Sequence, residues 1–165
     1  GFKKGKPSFR KIDWGGILMR KFQIVKAFQN QNIKLPVRAT KNSAGYDLAV
    51  SSDLVIKPGE IVLVPTGLKV EMNDDEVLLV FPRSSLAIKK SLTMSNGVGV
   101  VDSDYYNNEI NEGHLMIPLL NFSKENVTLI KGERIAQGIF IKYLTTDDDE
   151  AIDILRYGGF GSSGL

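Results

Sequence analysis

The chain has 165 residues, enough for one domain with a sizeable core, and no cysteine, which excludes disulfides and thiolate metal sites. Its single histidine, His114, excludes a histidine-rich metal cluster, and no apolar run approaches the roughly 18 residues a membrane-spanning helix needs. The formal charge of +2 hides an asymmetry: residues 1–22 carry seven basic groups and one acid, the remainder 14 basic and 18 acidic groups. A broad nucleic-acid-binding face is therefore not expected on the folded part, and a cytosolic protein is the default expectation.

In chain order, residues 1–18, GFKKGKPSFRKIDWGGIL, are basic, glycine-dotted and without periodicity. They read as a flexible leader or tail. Trp14-Gly15-Gly16 is encoded TGG-GGN-GGN, which can hold a ribosome-binding GGAGG just ahead of the Met19 codon. Met19 is therefore expected to be the natural start, with a β domain over 19–155 and a glycine-rich arm over 156–165. MRKFQIVKAF reads as the first strand. YDLAV, LVI, IVLVPTGLKVEM, EVLLVF, GVGVV, HLMIPLLNF, VTLI and RIAQGIFIKYL follow as short runs rich in β-branched, leucine and aromatic residues. Turn signals separate them: KPGE at 57–60, NDD at 73–75, NNEINEG at 107–113 and KGE at 131–133. SSLAIKKS is the best helical candidate, two turns at most. TDDDE at 146–150 reads as a solvated loop. Many short strands without a repeat or a linker predict one all-β domain: a sandwich, jelly roll or barrel.

The candidate chemistry lies where strands end. In GVGVVDSDYYNNE an apolar strand delivers Asp102 and Asp104, with Tyr105 next. The D-x-D start would suit a calcium loop, but Tyr106 and Asn107 stand where a ligand and a glycine are needed. Two readings remain, a hairpin with Asx turns or a carboxylate poised to activate water. FPRSSLA offers Arg83, a planar cation suited to phosphate, and the hydroxyls of Ser84 and Ser85, either of which could equally cap the short helix. Gln137 in RIAQGIF is a neutral amide in an apolar strand, and Asp47 in AGYDL is an acid on another. Each also has a purely structural reading. GFGSSG at 159–164 fits the dinucleotide spacing G-x-G-x-x-G, but only Leu165 follows it here, and that motif works through a following helix.

In order, AGYDL, PRSSLA, GVVDSDY, KGERIAQ and GGFGSSG resemble the five motifs of the homotrimeric dUTPase family, over about residues 35–165. The resemblance implies a jelly-roll-like β fold and conversion of dUTP to dUMP and pyrophosphate with Mg2+. That activity limits uracil in DNA and supplies dUMP. It also implies active sites shared among the three subunits of a homotrimer, closed by the mobile C-terminal arm of a neighbour. By motif, Asp102 resembles the carboxylate that activates the attacking water, and Tyr105 the ring packed on deoxyribose. Asn96, Gly99 and Val101 resemble the uracil pocket, with backbone groups reading the base edge. Asp47 resembles the acid that meets magnesium through water. Arg83, Ser84, Ser85 and Gln137 resemble phosphate contacts. Phe160 resembles the ring stacked on uracil, and Arg156, Gly161, Ser162 and Ser163 the arm's phosphate contacts.

The chain departs from the pattern at three places. Ser85 stands where the family usually has glycine, Tyr106-Asn107 opens a longer hairpin, and one residue rather than two separates Arg156 from Gly158-Gly159. The dCTP deaminases share the fold and an R-S-S-L-A stretch, but need a glutamate where MIPLLN has Pro118. A second alternative is a phage-type dUTPase that also binds a regulatory protein through NNEINEG.

Overall fold

The structure is a computed structural model and describes residues 19–150. Eleven strands and one short helix follow in chain order: β1 (Lys21–Ile24), β2 (Tyr46–Ala49), β3 (Leu54–Ile56), β4 (Ile61–Pro65), β5 (Leu68–Glu71), β6 (Glu76–Pro82), α1 (Leu86–Lys90), β7 (Leu92–Met94), β8 (Gly99–Asp102), β9 (Met116–Asn121), β10 (Val127–Leu129) and β11 (Arg134–Lys142). Short 3-10 turns at Lys26–Phe28 and Ser103–Tyr105 follow β1 and β8. All pairings are antiparallel. The main sheet runs β2-β11-β6-β8 and a second runs β4-β9-β7, with the pairs β1-β5 and β10-β3 beside them. This is the all-β architecture the short apolar runs predict, jelly-roll-like as the family resemblance implies.

The core lies between these sheets. Leu48, Ile56, Val64, Leu78, Leu92, Leu119, Leu129 and Ile135 are fully shielded from solvent, each worth roughly 1.5–3 kcal/mol of burial. Asn121, equally buried, satisfies its own groups. Its Nδ2 donates to the carbonyls of Ile56 (2.9 Å) and Glu125 (2.7 Å), and its Oδ1 accepts from the Ser123 N–H and hydroxyl. That amide fastens the β9–β10 turn to β3. At the opposite end of β6, Glu76 is buried against Arg20 at 2.5 Å. Burial pushes its carboxyl up, but the Arg20 guanidinium and the Asn73 N–H outweigh this and hold it below the usual carboxylate range.

Local chemistry explains where the elements depart from the sequence reading. IVLVPTGLKVEM is two strands, not one, because Thr66-Gly67 turns the chain with Gly67 at φ +75°. The Thr66 hydroxyl donates to the Leu115 carbonyl at 2.6 Å and accepts from Leu68 N–H, which fixes the bend. The first strand stops at Ile24, and the Lys26–Phe28 turn replaces the rest of MRKFQIVKAF. β7 has three residues, too few to show a period, and was not expected.

Candidate functional site

The chain changes sheets twice in quick succession, and a cavity forms where it does so. β7 belongs to the second sheet and β8 to the main sheet, so residues 95–98 cross between them. Asn96-Gly97 makes the turn, with Gly97 at φ +73° and Gly97 N–H bonded to the Met94 carbonyl. From β8 the chain returns through Ser103–Tyr105 and a loop to β9 in the second sheet. Between the two sheets lies a cavity of about 180 Å³. Val80, Val100 and Val101 form one wall, Met116, Ile117 and Pro118 the other, and Asn96, Asp102 and Tyr105 supply side-chain polar groups.

Sequence explains why the cavity stays open. A Cβ at Gly99 would sit 3.2 Å from the Val80 side chain and 3.8 Å from Asn96 Nδ2. Gly99 is thus needed for space rather than for a special φ. β8 pairs with β6 alone, so its other edge carries no strand among the described residues. It leaves backbone N–H and C=O groups in fixed alternation, able to read the hydrogen-bonding edge of a flat ring. Asp102 ends β8 in extended conformation and is exposed. Tyr105 is buried, with its hydroxyl donating to the His114 carbonyl at 2.8 Å.

A second cluster forms on the far side of the main sheet. Asp47 on β2 faces Gln137 on β11, which faces Phe81 near the end of β6. Two guanidinium groups converge on Asp47: Arg83 Nε lies 3.7 Å from Oδ1 and Arg134 Nη1 3.4 Å from Oδ2. At those separations both pairs are loose, worth at most about 1 kcal/mol each. Both cations can therefore turn toward an incoming anion. Gly45 leaves room for Gln137, since a Cβ there would lie 2.5 Å from Gln137 Oε1. Gln137 is half-buried rather than a core amide. Ser84 is exposed, and Ser85 stands at the helix start without making a side-chain cap bond, so the capping reading of this pair is not what the fold uses.

The expected residues thus fall into two groups. Asn96, Gly99, Val101, Asp102 and Tyr105 share the cavity, while Asp47, Arg83 and Gln137 sit together elsewhere. From Asp102, opposite Val77, to Asp47, in line with Phe81, is three strands across and four residues along, about 20 Å at ordinary strand spacings. Arg156, Phe160, Gly161, Ser162 and Ser163 lie outside the described residues. No cluster of three or more metal-ligating His, Cys, Asp or Glu side chains occurs among the described residues, and none of their helices is long and apolar enough to cross a membrane.

Sequence reasoning missed Arg134, although it lies within KGERIAQ; a charge at a strand start reads as ordinary exposed polarity. It also missed the apolar wall of Met94, Leu115, Met116 and Ile117. His114 is half-buried against the Phe28 ring, and its Nε2 accepts the Gly67 N–H at 2.9 Å. The proton must then sit on Nδ1. Burial pushes the imidazole below its ordinary value, against the opposing pull of the Glu112 charge.

The dUTPase family model matches residues 31–164. The deoxyuridine 5'-triphosphate nucleotidohydrolase of Lactococcus lactis subsp. lactis is 47% identical over 147 residues, covering 88% of this chain and 98% of that protein. The crystal structure of dUTPase from Streptococcus mutans superposes with a TM-score of 0.74 at 46% identity, covering 77% of this chain and 98% of that one. A mutant dUTPase of phage phi11 of S. aureus, a structure described as revealing the coordination of a structural Mg(II) ion, has a TM-score of 0.66 at 19% identity, covering 81% of this chain and 96% of that one. At that identity it speaks for the fold alone. By family model, by relatives and by fold, the chain belongs to the dUTPase family.

Proposed function

We propose that this chain hydrolyses dUTP to dUMP and pyrophosphate, with uracil in the cavity between β8 and β9. The observation that carries the reading is the cavity: a ring-sized slot, an unpaired strand edge along it and Asp102 at its end. The uracil O4 accepts and N3–H donates, an order that backbone N–H and C=O groups can match while opposing cytosine's reversed pattern. Pro118 in the wall supports hydrolysis over deamination, because it occupies the position where the deaminase pattern needs a glutamate.

In the proposed reaction Asp102 orients a water and takes its proton as the oxygen attacks the α-phosphorus in line. The bond from that phosphorus to the bridging oxygen breaks, and pyrophosphate leaves with the electron pair. An aspartate is a weak base toward water, so this step contributes roughly 10²–10⁴-fold. The larger share falls to positioning and to cations offsetting phosphate charge. Arg83 and Arg134, loosely held by Asp47 and able to turn, and the Gln137 amide supply donors for the phosphates. The donor set fits a magnesium ion carried mainly by the triphosphate, since Asp47 is one carboxylate and no cluster of ligands surrounds it among the described residues. Bound there, the ion would neutralise charge on the phosphate oxygens.

The separation of about 20 Å between Asp102 and Asp47 supports a shared site. That distance favours a site to which a second copy brings the phosphate-binding group. In the proposed assembly, a homotrimer, Phe160, Arg156, Gly161, Ser162 and Ser163 close the site from a third subunit. The test is pyrophosphate release from dUTP, dCTP, dTTP and UTP with Mg2+. Release from dUTP well above the others is expected. Ammonia from dCTP, or no release from dUTP, overturns the reading.

A further inference from the structure

Residues 105–114 form a closed loop in which the side chains of Asn108 and Asn111 are turned inward onto Tyr105. Asn107 N–H meets the Glu112 carbonyl at 2.9 Å, and Asn107, Glu112 and Gly113 all adopt left-handed φ. Gly113 has no alternative: a Cβ there would lie 2.7 Å from the Tyr105 carbonyl oxygen. Inside the loop, Asn111 Nδ2 donates to Tyr105 Oη at 2.8 Å, while that hydroxyl donates to the His114 carbonyl at 2.8 Å. Asn111 is itself held, its Oδ1 accepting from Asn108 Nδ2 (2.7 Å) and from Gly113 N–H (3.1 Å). Asn108 Nδ2 also donates to the Tyr105 carbonyl at 2.8 Å. The tyrosine is therefore gripped at its backbone and at its tip. The loop is anchored to the sheet by Glu112, which pairs with Lys69 at 2.7 Å and accepts from Lys26 N–H.

Such a grip exceeds what a simple turn needs. Tyr105 borders the cavity, and a pocket that must reject a ligand carrying one extra hydroxyl does so weakly unless its wall cannot yield. An aromatic ring free at its tip can tilt away; one held by two hydrogen bonds cannot do so without breaking them.

We propose that Asn111 is a positioning residue for sugar discrimination: by holding the Tyr105 hydroxyl it keeps the ring where a ribose 2′-hydroxyl would have to fit, and so sets the preference for dUTP over UTP. This rests on the reading of the cavity as the dUTP site. Asn111 reaches no nucleotide itself and acts only through Tyr105.

The experiment compares kcat/KM for dUTP and UTP in the unmodified protein, Asn111→Ala, Tyr105→Phe and the double variant. Each single substitution should lower the dUTP:UTP ratio by about tenfold or more, within the range a pocket wall can command. The double variant should fall no further than Tyr105→Phe alone, because that substitution already removes the hydrogen bond that Asn111→Ala removes. A ratio unchanged in Asn111→Ala, or effects that multiply in the double variant, overturns the inference while dUTP hydrolysis stands. Should Asn111→Ala fail to melt cooperatively, Tyr105→Phe decides, since it keeps the ring volume; an unchanged ratio there overturns the inference. Unmodified protein that does not hydrolyse dUTP overturns both this inference and the function it rests on.

Discussion

Gly45→Ala tests whether Gln137 is a phosphate contact, because the three heavy atoms nearest the added methyl all belong to Gln137. The new Cβ would lie 2.5 Å from Gln137 Oε1, 3.1 Å from its Cβ and 3.3 Å from its Cδ. Ordinary contact begins at 3.4 Å, so the amide oxygen must retreat by about 1 Å, while the stem must give by a few tenths. The amide is the far end of a flexible side chain, and displacing it costs about 1–2 kcal/mol in rotamer and packing strain. A catalytic donor moved by about 1 Å can cost 10²-fold in rate. The expected result is a small loss of melting temperature with a fall in kcat/KM for dUTP of about 10- to 10²-fold. Steady-state pyrophosphate release and a thermal melt measure the two sides. The decisive comparison adds Gly45→Ala to Gln137→Ala, where the amide is already absent. The second substitution should then leave activity nearly where Gln137→Ala alone put it. Undiminished turnover in Gly45→Ala would falsify the role of Gln137, and so would the same proportional loss with and without the amide.

Asp102→Asn should preserve the melt and the binding of dUTP while lowering kcat by at least about 10²-fold; near-normal turnover removes Asp102 from the chemistry. Stability should fall with pH below about 6.5, the unfolded histidine value, because burial holds folded His114 lower and the unfolded chain then binds the extra proton. The decline should end once pH passes the folded value, and urea midpoints between pH 5 and 7.5 should lose this slope in His114→Gln. A slope that survives the substitution assigns it to another group. Removing residues 156–165 should leave the melting midpoint within about 3 °C, since the described residues already form a closed core cluster. It should still lower dUTP hydrolysis by at least about 10²-fold if those residues close the site; full activity in the truncated protein rules that closing role out.

What could be read from the sequence follows from what kind of constraint each residue obeys. Strand positions were legible because alternating Val, Ile and Leu between Gly, Pro, Asn and Asp allows few other structures. Asp47, Asp102 and Arg83 were legible only because they fall within an ordered set of motifs, since a charge at a strand end by itself reads as ordinary exposed polarity. The apolar wall of the cavity was not, because Met94, Leu115 and Ile117 look the same whether they face a core or a ligand. The strand break at Thr66-Gly67 was also hidden, since it depends on the carbonyl of Leu115, 49 residues away along the chain. Nor could sequence alone show that Asp47 and Asp102 lie far apart. Their separation is set by the strand order β2-β11-β6-β8, in which the two motifs occupy opposite edges of one sheet.

The longer hairpin shows how a departure from the family pattern can leave the neighbouring chemistry intact. NNEINEG enters and leaves through one hydrogen bond, from Asn107 N–H to the Glu112 carbonyl, so the exit of Tyr105 and the entry to β9 remain as close as a short turn would place them. Extra residues between such paired ends cost little closure entropy, which grows only slowly with length. Their polar groups are settled inside the loop: Asn108 Oδ1 accepts from Ile110 and Asn111 N–H, and Asn111 Oδ1 from Gly113 N–H. These are the Asx turns that Asn-rich sequence favours, and Asn107 and Gly113 are residue types that tolerate the left-handed backbone the loop requires. Only Ile110 is left as a large apolar side chain in solvent, at 66% exposure. The Asx turns expected of the stretch are present. The Asx-turn loop is a structural device, and its closing contacts end on the ring and the backbone of Tyr105, two residues beyond Ser103 and three beyond Asp102. A substitution in the loop that breaks those contacts should accordingly alter selectivity before it alters the position of Asp102, because Asp102 is paired with Val77 in the main sheet.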